Sequence, residues 1–207
     1  MKILDGTKTS QGHEIILYGV KEDKHQILIV GVIHGDEPQG GELINRYLHE
    51  NTVDGVLFIP VLNPDGLRAR VRVNSNGVDI NRNFPCANWQ KSIKDDYFGG
   101  DYPASEIETR FLISIIEKYE PKLVITLHAP YKIVNYDGDA KDIAAKISAI
   151  TGYPLQSDIG YPTPGSFGTY AGIERDIPTI TLELDEHDSI ENIYPKFKKI
   201  TEMFSFI

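Results

Sequence analysis

Residues 27–33 read Ile-Leu-Ile-Val-Gly-Val-Ile, and residues 34–37, directly after them, read His-Gly-Asp-Glu. A short apolar run rich in β-branched residues is typical of a strand buried on both faces of a sheet. Apolar residues then recur at helical spacing over residues 38–50, and Pro38 suits the first turn of a helix. The stretch predicts a buried strand, a turn with ionisable side chains, and a helix.

The same alternation of apolar strands and amphipathic helices continues along the chain. Further strands are predicted over residues 56–61, 122–128 and 178–184, and further helices over residues 105–119, 139–150 and 189–204. Strands that alternate with helices predict a three-layer α/β/α sandwich with a mixed, mostly parallel central sheet, in one domain over residues 1–207. Ser105 and Glu108 predict a capping box at the start of their helix.

Composition excludes several classes of protein. The 207 residues carry 21 Lys and Arg against 30 Asp and Glu, a net charge of −9, without a basic block. Such a chain is a poor candidate for binding nucleic acid or anionic membranes. The one cysteine, Cys86, excludes an internal disulfide framework. Because no run has the length of a signal peptide or a membrane span, we expect a cytoplasmic protein, with a homodimer left open.

Polar side chains follow the predicted strands at their carboxyl ends, where open α/β sheets form their sites. A catalytic zinc ion takes three protein ligands and keeps one position open. His34 and Glu37, across one turn, and His128, after another strand, could supply these ligands. Glu183, after a third strand, could be a general base. The pattern alone leaves a structural role open for each histidine.

Two long stretches, residues 62–102 and 156–172, interrupt the alternation and are rich in Gly, Pro, Asn and Tyr. Long loops inside a compact domain are often functional. The first contains Gly-Val-Asp-Ile-Asn-Arg-Asn-Phe-Pro at residues 77–85. With the His-x-x-Glu of residues 34–37, this run resembles the zinc carboxypeptidase family, and Thr-Leu-His at 126–128 and Thr-Leu-Glu at 181–183 match the same family.

The resemblance implies a role for each residue of the predicted metal site. His34, Glu37 and His128 match the family's ligands for one zinc ion, and Glu183 matches its catalytic glutamate. Asp79 matches the carboxylate that orients the first histidine, since a ligating imidazole usually donates its other N–H to such a partner.

The resemblance also implies how the substrate is bound. Asn81 and Arg82 match the pair that grips a terminal carboxylate, which a guanidinium can bind bidentately. Arg72 matches the arginine that faces the developing oxyanion, although Arg68 and Arg70 compete for that role.

Further motifs narrow the resemblance to a branch of the family that acts on a cell-wall peptide in the cytoplasm; they lie at residues 63–66, 76–89, 105–109 and 160–168. This branch implies hydrolysis of the amide between γ-D-Glu and meso-diaminopimelate in L-Ala-γ-D-Glu-meso-diaminopimelate, during recycling of the cell wall. Thr163, Ser166 and Tyr170 are then expected to contact the substrate. An acid should bind the far-end ammonium, with Asp137, Asp158 and Asp185 as candidates.

Other functions remain open at this point. A zinc carboxypeptidase for other peptides is one, and an N-acyl amino acid deacylase of the aspartoacylase and succinylglutamate desuccinylase type is another. A non-catalytic zinc-binding or peptide-sensing module is a third, against which Glu183 argues, because such a module needs no general base. No motif assigns the mobile tyrosine of digestive carboxypeptidases, for which Tyr161 and Tyr170 are candidates.

Overall fold

An eight-stranded sheet forms the centre of the computed structural model, which describes residues 1–24 and 26–204. The strands are β1 (Lys2–Lys8), β2 (Glu14–Gly19), β3 (Ile27–Val30), β4 (Val56–Ile59), β5 (Leu123–His128), β6 (Val134–Asp137), β7 (Leu155–Gln156) and β8 (Thr179–Glu183). The helices are α1 (Gln39–Glu50), α2 (Pro64–Ala69), α3 (Ile107–Tyr119), α4 (Lys141–Thr151) and α5 (Ile190–Glu202). A 3-10 turn covers Ile80–Arg82, and a π-helical segment covers Gly168–Ile173.

The sheet is mixed, with a parallel centre. Its strand order is β1-β2-β4-β3-β5-β8-β6-β7. Strands β4, β3, β5 and β8 run parallel to their neighbours within this group, and β6 pairs in parallel with β7. The pairs β1–β2, β2–β4 and β6–β8 are antiparallel. The predicted mixed sheet is confirmed.

Helices cover both faces of this sheet. On one face, Leu43 and Tyr47 of α1 and Phe197 of α5 join an apolar cluster with the strands. On the other face, Leu112 and Ile115 of α3 join a second cluster. Each side chain of this size gains roughly 1.5–3 kcal/mol when it is fully buried. The predicted three-layer sandwich is therefore confirmed, and its parallel strands are apolar because both faces are buried.

Strand β3 is shorter than predicted, since it ends at Val30. Gly31 passes so close to its surroundings that a Cβ there would lie 2.6 Å from the carbonyl oxygen of Pro60. Val32 then adopts a positive φ of 49°, outside the extended region of a strand. The chain therefore leaves the sheet before it reaches His34.

The predicted capping box does not form. Helix α3 begins at Ile107 with Glu106 at its N-cap, and that side chain makes no capping hydrogen bond. The Ser105 hydroxyl instead donates to Glu106 Oε1 at 2.6 Å and accepts from Asn83 Nδ2 at 2.9 Å. These contacts of Ser105 stabilise the long loop before α3 and do not cap the helix.

The sequence did not predict the hairpin of β1 and β2. Strand β1 lacks the apolar run of the central strands, because most of its residues are exposed or half-buried. Ile3, for example, is 63% exposed to solvent. Thr9 Oγ1 donates to Asp65 Oδ1 at 2.8 Å, and His13 Nδ1 lies 2.6 Å from the same oxygen. These contacts tie the hairpin turn to the first turn of α2. Among the described residues, no helix has both the length and the apolar character needed to cross a membrane.

Candidate active site

The carboxyl ends of three parallel strands bring the predicted residues to one edge of the sheet. His128 is the last residue of β5 and Glu183 the last of β8, and the two residues are paired in register. His34 follows β3, the other neighbour of β5. Together with Glu37, they line a cavity of about 370 Å³. We call these four residues the cavity floor.

Three of the floor residues form a group that could hold a metal ion. Nδ1 of His34 lies 2.8 Å from Oε1 of Glu37, and Nδ1 of His128 lies 3.0 Å from Oε2. The two Nδ1 atoms are 3.2 Å apart. Ligands on one tetrahedral zinc ion, with bonds of about 2.0–2.1 Å, would be separated by about 3.3 Å. The two imidazoles and one carboxylate, each with an atom aimed at a common point, therefore fit zinc.

Asp79 orients the first histidine. It is fully buried and lies 3.2 Å from Nε2 of His34, the nitrogen that faces away from the other ligands. Its carboxylate also accepts from Arg72 Nε at 2.9 Å and from the backbone N–H of Asn81 at 2.8 Å. Burial alone would raise the pKa of Asp79, but the charges of His34 and Arg72 hold it well below its usual range. The structure thus brings Asp79 to the place that the sequence predicts.

The electric field at this point favours a cation. Burial alone would lower the pKa of His34, yet Glu37 and Asp79 outweigh it and raise that pKa to about 9. Burial alone would raise the pKa of Glu37, yet His34 and His128 hold it well below its usual range. Two ionised carboxylates around two imidazoles stabilise positive charge between them, as a bound metal ion requires.

Glu183 has a different environment from Glu37. Its side chain is buried, and its Oε2 atom has no hydrogen-bond partner in the described part of the chain. Burial, with the nearby charge of Glu37, raises the pKa of Glu183, although His128 opposes the shift. General bases are often carboxyl groups that lie buried in a cleft and whose pKa is raised by their surroundings.

The long loop contributes Arg72, Asn81 and Arg82 to the lining of the same cavity. The Arg82 side chain is 6% exposed, and its Nη1 donates to the backbone oxygen of Asn81 at 2.7 Å. The side-chain oxygen of Asn81 accepts from the backbone N–H of Phe167 at 2.9 Å, which fixes the loop against the opposite wall. Arg72 Nη1 lies 3.8 Å from Glu37 Oε1. Two guanidinium groups therefore line the cavity, and both can bind anions.

Residues 163–168 form a wall of the cavity. Thr163 and Ser166 line it, with their hydroxyl oxygens 3.4 Å apart. Behind the wall, the thiol of Cys86 donates to the backbone oxygen of Ser166 at 3.4 Å. Burial raises the pKa of this thiol to about 12. Cys86 is thus a packing residue beneath the wall.

The prediction that Tyr170 contacts the substrate is wrong. Its side chain is 2% exposed and packs against Phe84 and Phe167, with ring centroids 5.4 and 6.4 Å away. The guanidinium of Arg175 covers the ring at 3.5 Å. The π-helical segment directs this side chain into the apolar cluster on the α3 face, and the cavity lining does not include it.

The structure separates the three acids proposed for an ammonium. Asp137 lines the cavity from β6, and burial raises its pKa. Asp158 lines the cavity from an exposed loop. Asp185 pairs with Lys132 at 2.6 Å and lies outside the lining. Asn135 lines the cavity beside Asp137, because alternate residues of a strand share a face.

Of the aromatic residues at the cavity mouth, Tyr161 was a candidate from the sequence for the mobile tyrosine, whereas Tyr97 and Tyr131 were not predicted. Tyr97, Tyr131 and Tyr161 line the cavity with exposures of 55%, 53% and 39%, and we call them the cavity rim. The Tyr97 ring centroid lies 5.0 Å from Cζ of Arg72 and 6.0 Å from Cζ of Arg82. These tyrosines lie in or beside long loops, where no periodic pattern shows which side chains face the cavity.

Comparisons with known proteins agree with this geometry. The sequence pattern of the zinc carboxypeptidase family matches residues 1–147. Murein peptide amidase A of Escherichia coli K12 is 33% identical over 178 residues, which cover 79% of this chain and 73% of that protein. Murein peptide amidase A of Vibrio campbellii is 33% identical over 198 residues, which cover 86% of this chain and 79% of that protein.

Solved structures show the same likeness. The crystal structure of murein-tripeptide amidase from Escherichia coli O157 superimposes with a TM-score of 0.82 at 26% identity, covering 96% of this chain and 89% of that one. Carboxypeptidase A from Helicoverpa armigera superimposes with a TM-score of 0.77 at 16% identity, covering 99% and 68%. At that lower identity the likeness shows the fold alone.

Proposed function

The chain belongs to the zinc carboxypeptidase family, and we propose that it releases meso-diaminopimelate from L-Ala-γ-D-Glu-meso-diaminopimelate. As a member of this family it is a zinc metallo-hydrolase. The murein peptide amidases among its relatives, which it matches over most of their length, support a small murein peptide as substrate.

His34, Glu37 and His128 would hold the zinc ion through two Nδ1 atoms and a carboxylate. When bound, zinc supplies a Lewis acid that makes water more acidic and polarises a carbonyl group. Asp79 keeps the His34 ring in place by accepting from its Nε2–H. This hydrogen bond favours the tautomer whose Nδ1 is free to bind a metal.

Glu183 moves the proton in the proposed reaction. It accepts a proton from the attacking water as the new C–O bond forms at the amide carbon. It then gives this proton to the leaving nitrogen as the C–N bond breaks. The raised pKa of the Glu183 carboxyl suits both transfers, and its unpartnered Oε2 leaves an oxygen free to receive the proton.

Arg82 binds the free carboxylate next to the scissile amide, in a bidentate contact that Asn81 supports from beside it. Arg72 opposes the negative charge that develops on the carbonyl oxygen. One such contact typically contributes about 3–4 kcal/mol to stabilising the transition state. Thr163 and Ser166 line the wall beside the leaving residue.

Asp137 binds the far-end ammonium of diaminopimelate in this proposal. Burial raises the pKa of its partly buried carboxyl group, with no contribution from a nearby charge. An incoming ammonium would therefore compensate the cost of burying the carboxylate. Asp158, at the exposed mouth, is more strongly screened by solvent. An acid in this position favours a leaving group that carries a second amine.

The observation that carries the proposal is one cavity that contains Glu183, three candidate metal ligands and Arg82. The Glu183 carboxyl is buried, and its Oε2 atom has no partner among the described residues. The test is mass spectrometry of the zinc-loaded protein incubated with the tripeptide, comparing wild type with Glu183→Gln. We expect the wild type to release diaminopimelate and the variant to lose about 10²–10⁴-fold in kcat with its zinc retained. Glu186→Gln, at a glutamate that also lines the cavity, serves as the matched control.

The outcomes separate the alternatives. Release of diaminopimelate by wild type and Glu186→Gln, but not by Glu183→Gln, supports the amidase and its base together. If the zinc-loaded wild type leaves the tripeptide intact, the murein amidase is excluded. The same assay with other peptides and with N-acyl amino acids then identifies the reaction. Undiminished turnover by Glu183→Gln contradicts the proton transfer.

The proposal includes a cellular setting. The enzyme acts in the cytoplasm, on a peptide returned from the cell wall, without a membrane or a nucleic acid as partner. Residues 1–207 act as one catalytic domain, as a monomer or as a homodimer.

A further inference from the structure

A second groove, of about 520 Å³, adjoins the cavity. Arg82 and the three rim tyrosines line both spaces, so these side chains form a common boundary between the groove and the cavity. Pro162 and Pro164 form another part of the groove wall. Exposed aromatic rings gathered in one place are typical of a binding surface.

Charge distinguishes the groove from the cavity. Among the described residues, six acidic ones line the cavity: Asp36, Glu37, Asp137, Asp158, Glu183 and Glu186. Within residues 1–24 and 26–204, no acidic side chain lines the groove, and its charged residues are Arg82 and Lys91. The Lys91 side chain is 67% exposed, with its Nζ 3.9 Å from Asp101 Oδ1. The groove therefore favours a ligand that is partly apolar and carries negative charge.

The proposed reaction creates a need for such a surface. A glutamyl residue linked through its γ-carboxyl group keeps its α-carboxylate free, on the acyl side of the scissile amide. A peptide with ordinary α-linkage has no backbone carboxylate at that position. Arg82 is committed to the carboxylate of the leaving residue, which leaves Lys91 as the groove cation available for the second carboxylate.

We propose that the groove binds the acyl half of the substrate and recognises its γ-linkage. The tyrosine and proline walls pack against the chain of the acyl half, while Lys91 pairs with the α-carboxylate of the γ-glutamyl residue. This inference rests on the proposed function and adds a determinant of specificity to it. Because Lys91 is exposed, we expect its pairing to contribute about three- to five-fold to kcat/KM, and less at high salt.

The test pairs two substrates with two variants. The substrates are L-Ala-γ-D-Glu-meso-diaminopimelate and its analogue with the glutamyl α-carboxylate converted to a carboxamide. The variants are Lys91→Met and the control Lys94→Met, whose ammonium lies 5.4 Å from the Phe98 ring centroid and which does not line the groove.

We expect wild type and Lys94→Met to favour the carboxylate substrate by about three- to five-fold. Lys91→Met should abolish this preference by slowing cleavage of the carboxylate substrate alone. Equal effects of Lys91→Met on both substrates, or no effect on either, would overturn the assignment.

A binding measurement separates this inference from the proposed function. The probe is the dipeptide L-Ala-γ-D-Glu, titrated into zinc-loaded wild type and both variants by calorimetry. If no substrate is cleaved but the dipeptide binds, and binds more weakly to Lys91→Met alone, the amidase fails and the groove assignment stands. If the three proteins bind it equally, or none binds it, the groove assignment fails whatever the activity.

Discussion

The floor and the rim of the cavity are built in different ways. His34, His128 and Glu183 on the floor are 3–6% exposed and lie at or just beyond the ends of neighbouring parallel strands. The rim tyrosines are 39–55% exposed and lie in or beside long loops. The floor contacts are short: the two Nδ1 atoms of the histidines and the two carboxylate oxygens of Glu37 are linked by separations of 2.8–3.2 Å.

The difference matches what each region is proposed to do. Groups that carry out chemistry must be held within about 0.5 Å of their working positions, which buried strand ends can achieve. Groups that recognise a variable part of a substrate can lie on loops, where substitutions are tolerated. We therefore expect changes on the floor to remove turnover and changes on the rim to alter mainly KM.

The largest effect is expected on the floor. Replacing His128 with Ala removes one of three ligands, so we expect loss of bound zinc and a kcat below detection. Zinc content by atomic absorption and kinetics on the tripeptide measure this. His187→Ala, at a side chain 83% exposed, is the control and should retain both properties. Full activity of His128→Ala would refute the assigned ligand set.

An intermediate effect is expected at Asp137, which lies deeper than the rim. Removing its charge with Asp137→Asn should lower kcat/KM for the diaminopimelate substrate by about ten-fold, through the lost ammonium contact.

The same Asp137→Asn change should raise the Tm of the protein at pH 7. Burial raises the pKa of Asp137 in the folded protein, so the native state loses stability as pH rises from the unfolded pKa of about 3.9 through the folded pKa.

Thermal melts of wild type and Asp137→Asn from pH 3 to pH 8 test the direction of this change in stability. The advantage of the variant should be present at pH 7 and vanish below about pH 4, where both forms of the protein carry a neutral side chain. A variant that is less stable at pH 7 and no slower would show that Asp137 has a structural partner instead.

The smallest effect is expected on the rim, at Tyr97. Its ring lies near the guanidinium groups of Arg72 and Arg82, so an aromatic side chain should help hold them. At an exposed site such a contact is worth about 0.5–1 kcal/mol, which predicts a two- to five-fold higher KM for Tyr97→Leu. Tyr97→Phe keeps the ring and should resemble wild type. Equal KM values for the Phe and Leu variants would exclude this role.

The same contrast explains which features could be predicted from the sequence. Buried parallel strands leave continuous apolar runs, so the strands before His34, His128 and Glu183 were recognisable, and with them one edge of the sheet. The hairpin of β1 and β2 has only a partly buried face and gave no such run. Its turn is also tied to a distant partner, Asp65, which no local pattern reveals.

In the loops, the sequence predicted which residues are candidates for the site but not the direction in which their side chains point. Thr163, Ser166 and Tyr170 lie within eight positions, yet the first two line the cavity and the third is buried beneath it. The direction of the Tyr170 side chain depends on the π-helical segment, which has no sequence signature of its own. Asp137 could not be separated from Asp158 and Asp185, because its position depends on the pairing of β6 with β8.

The thiol beneath the 163–168 wall gives the protein an internal reporter of motion. Cys86 is the one cysteine in the sequence, it is 8% exposed, and its pKa of about 12 keeps it as the unreactive thiol at neutral pH. An alkylating reagent can modify it only after the wall has separated from it. The rate of modification therefore reports the fraction of time for which the wall is open, without any engineered label. Its slowing by a bound ligand measures how firmly the filled cavity holds the wall closed.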